Sequence, residues 1–323
     1  MKIVVTPPFT EEQKKRICEA AGEEIPVFMQ KDEITKEVLK DAEVILGNLD
    51  NAAQLGWAEK LRWIQLNNAG TEGYCDPGVL PEGAVLTNAT GAYGLAISEH
   101  MIACLFMLRK KLNLYYADQQ RREWKREGHV GVVQGTTVLV VGLGDIGGTF
   151  AEKMKAFGCH TIGIRRRVGT KQDGVGKVPA DELYGPDELD SLLPRADVVA
   201  LCLPGNASTY HILNRERISL LKPDAIVLNV GRGTAIDTEA LCEALYAGKL
   251  AGAALDVTDP EPLPENHPLW NAPGVLITPH ISGGYSLPET LEQISRIFAE
   301  NLARFRKGEP LRNVVDLKTG YCR

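Results

Sequence analysis

The sequence predicts an α/β protein: a doubly wound parallel sheet accompanied by a second, smaller α/β domain. Three observations carry this. Short apolar, β-branched runs alternate with helix-patterned segments along the whole chain, the pattern of βαβ units. One stretch, residues 137–157 (TVLVVGLGDIGGTFAEKMKAF), sets strand, glycine-rich turn and helix in immediate succession. Finally, a chain of 323 residues is long enough for two domains, each with a core of its own.

Within that stretch, Thr137–Val141 is a run suited to a strand buried on both faces. Gly142, Gly144 and Gly147 follow as G-x-G-x-x-G, and Ile146, Phe150, Met154 and Phe157 then recur at helical spacing. Gly142 permits the turn, Gly144 lets backbone approach a pyrophosphate, and Gly147 allows the helix to sit close to the sheet. The helix N-terminus supplies the anion site. A purely structural turn is the competing interpretation, but the strand before it and the helix after it favour dinucleotide binding.

Composition narrows the partners. With 44% hydrophobic and 24% charged residues the chain reads as an ordinary globular protein, and a net charge of -6 gives no electrostatic ground for nucleic-acid or acidic-membrane binding. The opening MKIVVTPPF reads as a strand and turn, not a signal peptide, and no apolar run reaches transmembrane length. Seven widely spaced cysteines without a C-x-x-C pair imply a reduced, cytoplasmic chain with no structural zinc and no other metal site.

Before the glycine motif, residues 2–5, 43–46, 61–66 and 84–86 read as strands, with helices over 10–20 and 34–40. Thr10 is the expected cap of the first helix. The loop Asn67-Asn68-Ala69-Gly70-Thr71-Glu72 follows a strand end, where backbone N–H groups can hold a carboxylate; an ordinary loop is the equal alternative. Residues 96–108 form a helix expected to bridge the domains. Residues 110–135 are polar and basic around Trp124, which suits a solvated helix or a subunit arm.

After the glycine helix, residues 160–164 form a strand ending in Arg165-Arg166-Arg167. An acidic residue there would hold the ribose 2′-OH of NAD; arginine instead pairs with a 2′-phosphate. NADP(H) is therefore the preferred cofactor and NAD(H) the second option. Strands are expected at 198–203, 225–230, 251–257 and 275–278, with helices at 186–193, 208–212, 215–221 and 238–247. Polar groups gather at the strand ends: Arg232 in NVGRGTAID, Asp256 and Glu261 in LDVTDPEP, and His280 in ITPHISGG. Such residues would converge on the crevice that the glycine loop faces. Hydride transfer to a carbonyl leaves charge on oxygen, so a proton donor is needed, and His280 is the candidate with Glu261 as its carboxylate partner. Arg232 offers a bidentate clamp for a substrate carboxylate.

Through GLGDIGGTFA, LCLPGNAST, LNVGRGTAID, GAALDVTDPEPLP and TPHISGG, in that order, the chain resembles the D-isomer-specific 2-hydroxyacid dehydrogenases. The resemblance implies two Rossmann-like domains: a flavodoxin-like substrate domain (1–95 plus 286–323) and a dinucleotide-binding domain (96–285) carrying the interdomain helix and dimerisation arm. It implies a helix near 289–305 packed on the N-terminal domain, and a homodimer. By resemblance, Arg232 orients the substrate, Glu261 raises the pKa of its histidine partner and His280 is the acid/base. Asp256 looks like the holder of the nicotinamide carboxamide. Asp145 and Ile146 meet the pyrophosphate, Leu203, Pro204 and Thr209 contact the adenosine half, and Val230 and Gly231 line the cofactor site with Arg165 and Arg166. Ala69 and Gly70 resemble the substrate-binding backbone. The activity implied is reduction of a 2-keto acid, or oxidation of a D-2-hydroxy acid. Alternatives are a phosphoglycerate or phosphite dehydrogenase and a non-catalytic dinucleotide-sensing corepressor. Phosphoglycerate dehydrogenases often carry a C-terminal regulatory domain, and with the chain ending at Arg323 none is expected here. Arg165, in place of the Asp of NAD-using members, resembles the NADPH-using glyoxylate and hydroxypyruvate reductases.

Overall fold

The computed structural model describes residues 1–166, 179–285 and 287–322, so Arg167 lies outside the described residues. The chain forms two compact units, Met1–Tyr93 with Tyr285–Arg323, and Gly94–Gly284.

The first unit is laid down as β1 (Ile3–Val5), α1 (Glu11–Ala21), β2 (Val27–Phe28), α2 (Lys36–Lys40), β3 (Val44–Leu46), β4 (Trp63–Gln65) and β5 (Val85–Thr87). The strands form one parallel sheet in the order β2-β1-β3-β4-β5. Every residue of β1, β3 and β4 is buried, which is why these strands read as apolar runs without alternation. Thr10 caps α1 as expected: its Oγ1 accepts from Gln13 N–H, and Gln13 Oε1 accepts from Thr10 N–H. β2 has no counterpart in the sequence reading, because it is two residues at the sheet edge and Val27 is exposed.

The second unit runs α3 (Gly94–Arg109), α4 (Leu112–Arg121), β6 (Thr137–Val141), α5 (Asp145–Ala156), β7 (His160–Ile164), β8 (Glu182–Tyr184), α6 (Leu189–Leu192), β9 (Val198–Leu201), α7 (Arg215–Ser219), β10 (Ile226–Asn229), α8 (Thr238–Tyr246), β11 (Gly252–Leu255) and β12 (Val275–Ile277). Its seven strands are all parallel, in the order β12-β11-β10-β9-β6-β7-β8. The winding direction reverses between β6 and β9, the place where α/β sheets of this Rossmann-like kind open a ligand crevice. β9, β10 and β11 are buried throughout, and α3 packs against α5, β10 and β11. Among the described residues, no helix is long and apolar enough to cross a membrane.

Two expected helices are not formed as read. Residues 208–212 are turns: Thr209 Oγ1 donates to Pro204 O and accepts from Asn206 N–H, and His211 at φ 47° prevents a second helical turn. Residues 186–193 are broken into α6 flanked by 3₁₀ turns, with Pro186 and Pro194 at their starts. Of the basic stretch 110–135, only α4 is regular helix; Trp124 beyond it is fully exposed.

The chain then returns to the first unit as α9 (Pro288–Lys307), β13 (Val315–Asp316) and β14 (Tyr321–Cys322). α9 lies along α1, with Phe298 edge-on to Phe9 at 5.8 Å and Glu292 paired with Arg16 at 2.9 Å. The Arg16 and Arg296 guanidinium groups hold the Glu292 carboxyl at about 2.

Candidate active site

The second unit's site begins with the turn between β6 and α5. Gly142 sits at φ 100°, and a Cβ there would lie 2.6 Å from Cys202 O. A Cβ on Gly147 would lie 2.1 Å from Gly142 O, so both positions exclude every other residue. Gly144 differs: a Cβ there would meet nothing within 4 Å. Its lack of a side chain keeps open the space in front of the α5 N-terminus, where Gly144 itself stands as the cap with no side-chain hydrogen bond. An uncapped helix start beneath open space fits an anionic pyrophosphate. The Asp145 carboxylate accepts from Gly94 N–H at the start of α3, so residues 145 and 146 would meet an anion through backbone.

The turn is tied to β7. The N–H groups of Gly142 and Leu143 both donate to Ile164 O, one residue before Arg165. Arg165 is half-buried, donates its backbone N–H to Tyr184 O, and is followed by the exposed Arg166. This puts the cationic pair at the strand end beside the glycine turn.

Arg232 stands between two glycines that the packing requires. A Cβ on Gly231 would lie 2.4 Å from Leu203 O, and one on Gly233 would lie 1.9 Å from Thr258 O. The loop is further fixed by the fully buried Asn229, whose Oδ1 accepts from Gly231 N–H and whose Nδ2 donates to Arg232 O. Arg232 Nη1 donates to Gly231 O at 2.8 Å. The G-R-G sequence is therefore a built arginine mount.

Asp256 follows β11 and is 2% exposed. Its Oδ1 accepts from Thr278 Oγ1 at 2.6 Å and Ile281 N–H at 3.0 Å; Oδ2 accepts from Ser282 N–H at 3.0 Å and Ser282 Oγ. Burial pushes this carboxyl up, but the hydrogen bonds from Ser282, Thr278 and the backbone of Ile281 outweigh it and hold it below the usual carboxylate range. Its four bonds match the roughly four acceptor positions a carboxylate has. Asp256 is thus engaged with the segment that carries His280. His280 takes φ 53° and donates its N–H to Asp256 O, and its Nδ1 lies 2.7 Å from Glu261 Oε1. Glu261 accepts the Nδ1 proton, which leaves Nε2 as the working nitrogen.

Arg232, Asp256 and His280 lie just beyond the ends of β10, β11 and β12, which are neighbours in one sheet. At the usual strand spacing the outer two are about 10 Å apart, room for a small acid between them. Of the other expected contacts, Leu203 backbone packs under Gly231. Thr209 spends its hydroxyl on the 204–209 turn, and Val230 is buried. Ala69 and Gly70 belong to the first unit, after β4, where Ala69 O accepts from Asn88 Nδ2 at 2.6 Å. Asn229, Thr278, Ser282 and His100 support the site but were not singled out in the sequence. The only signal was their presence inside NVGRG, TPHIS and the α3 pattern. Among the described residues, no group of three or more His, Cys, Asp or Glu is arranged to hold a metal ion.

The family model "D-isomer specific 2-hydroxyacid dehydrogenase, NAD binding domain" matches residues 102–282. The chain is 32% identical to the D-3-phosphoglycerate dehydrogenase of Methanocaldococcus jannaschii over 98% of its own length, and spans 60% of that longer relative. It is 31% identical to the glyoxylate reductase of Thermococcus onnurineus, covering 95% of this chain and 93% of that one. Among solved structures it is similar to the NADPH-dependent glyoxylate/hydroxypyruvate reductase of Sinorhizobium meliloti in complex with NADP and sulfate. That match has 25% identity and a TM-score of 0.81, and covers 99% of each chain.

Proposed function

This chain belongs to the D-isomer-specific 2-hydroxyacid dehydrogenase family, and on that premise we propose that it is a 2-keto acid reductase that prefers NADPH. Membership makes it an NAD(P)-dependent oxidoreductase acting on 2-keto and 2-hydroxy acids. The observation that carries the mechanism is the His280–Glu261 pair, set two strands from the Arg232 mount on the same sheet edge.

The reduced cofactor, when bound, supplies a hydride to the carbonyl carbon. Arg232 pairs with the substrate carboxylate and hydrogen-bonds the keto oxygen, so the carbon is presented in one orientation and its oxygen is polarised. His280 Nε2–H delivers a proton to that oxygen as charge develops on it, and Glu261 keeps Nδ1 protonated and the ring aimed. One hydride on carbon and one proton on oxygen give the hydroxyl. In reverse, Nε2 accepts the hydroxyl proton. Asp256 holds the loop on which His280 is carried.

The NADPH preference rests on Arg165 and Arg166 beside the glycine turn, where a 2′-phosphate finds cationic donors and where neither guanidinium can accept from a ribose hydroxyl. The Sinorhizobium relative, solved with NADP, supports it. The smaller unit is the substrate domain in this proposal, with the 69–70 backbone as its contribution. Its strand order supports a flavodoxin-like description. The fully exposed Trp124 in a basic arm supports a homodimer, and seven unpaired cysteines support a cytoplasmic setting. A second reading, phosphoglycerate dehydrogenation, is favoured by the Methanocaldococcus relative. The test is turnover on glyoxylate, hydroxypyruvate, pyruvate, phenylpyruvate and 3-phosphoglycerate, with each cofactor in parallel. Keto-acid reduction with the lower KM for NADPH is expected. Turnover of 3-phosphoglycerate alone would establish the second reading, and no turnover at all would refute both.

A further inference from the structure

Among the titratable groups of α3 that the mechanism above does not use, His100 is the one that reaches the Asp256 cluster. His100 sits behind Asp256, its side chain 20% exposed, with Nε2 3.2 Å from Thr278 Oγ1, 3.5 Å from Cys104 Sγ and 4.0 Å from Asp256 Oδ1. The Thr278 hydroxyl has one proton, and at 2.6 Å from Asp256 Oδ1 that proton goes to the carboxylate. Toward His100, Thr278 therefore offers only a lone pair, and Nε2 must be the donor. An unprotonated Nε2 would set its lone pair against both the hydroxyl oxygen and the carboxylate. The result is a directed chain: His100 Nε2–H to Thr278 Oγ1, Thr278 O–H to Asp256 Oδ1, and Asp256 accepting from the backbone of Ile281 and Ser282. These two residues follow His280, which is held in a left-handed backbone conformation that non-glycine residues do not adopt readily.

We propose that His100 is a positioning residue for His280. By fixing the direction of the Thr278 proton it keeps Asp256 fully bonded to the 280–282 backbone, and so keeps the imidazole where the reacting oxygen arrives. The catalytic half of this inference rests on the function proposed above; the structural half does not.

The test uses the full-length protein with His100→Ala, His100→Gln and Thr278→Val. Glutamine places an amide donor near the position of Nε2; valine keeps the volume of Thr278 and removes the relay. Hydrogen exchange of the cofactor-free protein is read at Ile281 and Ser282, with β6 as an internal control. Steady-state kinetics are read with the best keto acid. His100→Ala and Thr278→Val are expected to speed exchange at 281–282 about tenfold while β6 is unchanged. They are also expected to lower kcat about ten- to a hundredfold with little change in KM. His100→Gln should recover most of both, and the Ala/Val double variant should be no worse than either single one. Wild-type exchange in Thr278→Val, a Gln variant as impaired as the Ala variant, or multiplicative losses in the double variant would overturn the proposal. Should His100→Ala not fold, Thr278→Val and His100→Gln decide it. A wild-type protein without keto-acid turnover refutes the function reading instead, and the exchange comparison still decides the relay.

Discussion

Replacing Arg165 with aspartate should reverse the cofactor preference. Its backbone is set by two anchors, the Gly142 and Leu143 N–H groups on the preceding Ile164 O and its own N–H on Tyr184 O. The substitution leaves both in place, so the side chain is what changes. A hydrogen bond to a charged group contributes about 1.5–3 kcal/mol, so losing it should weaken NADPH about ten- to a hundredfold. The new carboxylate would repel the 2′-phosphate and accept from the 2′-OH of NADH, which moves the ratio further in the same direction. The assay is Kd for both cofactors by fluorescence titration, with kcat/KM for each at saturating keto acid. A thermal midpoint controls for the half-buried position. An unchanged NADPH-to-NADH ratio in a folded variant would refute the assignment of the 2′-phosphate to this strand end.

Further outcomes follow from the same geometry. Glu261→Gln keeps an acceptor for Nδ1–H but removes the charge, and should lower kcat about tenfold with cofactor Kd unchanged, as steady-state and binding measurements would check. Glu292 contributes stability through Arg16 and Arg296; its folded pKa is depressed from 4.5 to about 2. That contribution is present above pH 4.5 and is lost as pH falls toward about 2. The thermal midpoint of Glu292→Gln should therefore lie below wild type at neutral pH, and the two curves should converge in acid.

Much of the frame was legible in the sequence because burial imposes it. The parallel strands at the centre of each sheet have no solvent face, so they appear as apolar runs; β6 was bounded to the residue. What escaped lay where burial is weak. β2 and β8 are short edge strands whose residues are exposed or half-buried, and neither shows a pattern. Residues 208–212 carry helix-compatible residues, but Asn206 and Thr209 spend their polar groups locally and hold a turn. In the site, the motif residues Arg232, Glu261 and His280 could be named from their joint placement at expected strand ends and from the family resemblance. Their supports could not, since Asn229, Thr278 and Ser282 act through hydrogen bonds that exist only once β10, β11 and β12 lie side by side. His100 reaches Thr278 across 178 residues of sequence, a separation no local pattern encodes.

The central claim is that His280 Nε2 moves the proton to and from the substrate oxygen while others bind the cofactor. Turnover by His280→Ala, measured alongside its NADPH Kd, tests this most directly. The account predicts kcat lower by about 10²–10⁴ with Kd within about threefold of wild type. Turnover near the wild-type level, with the cofactor bound normally, would contradict it.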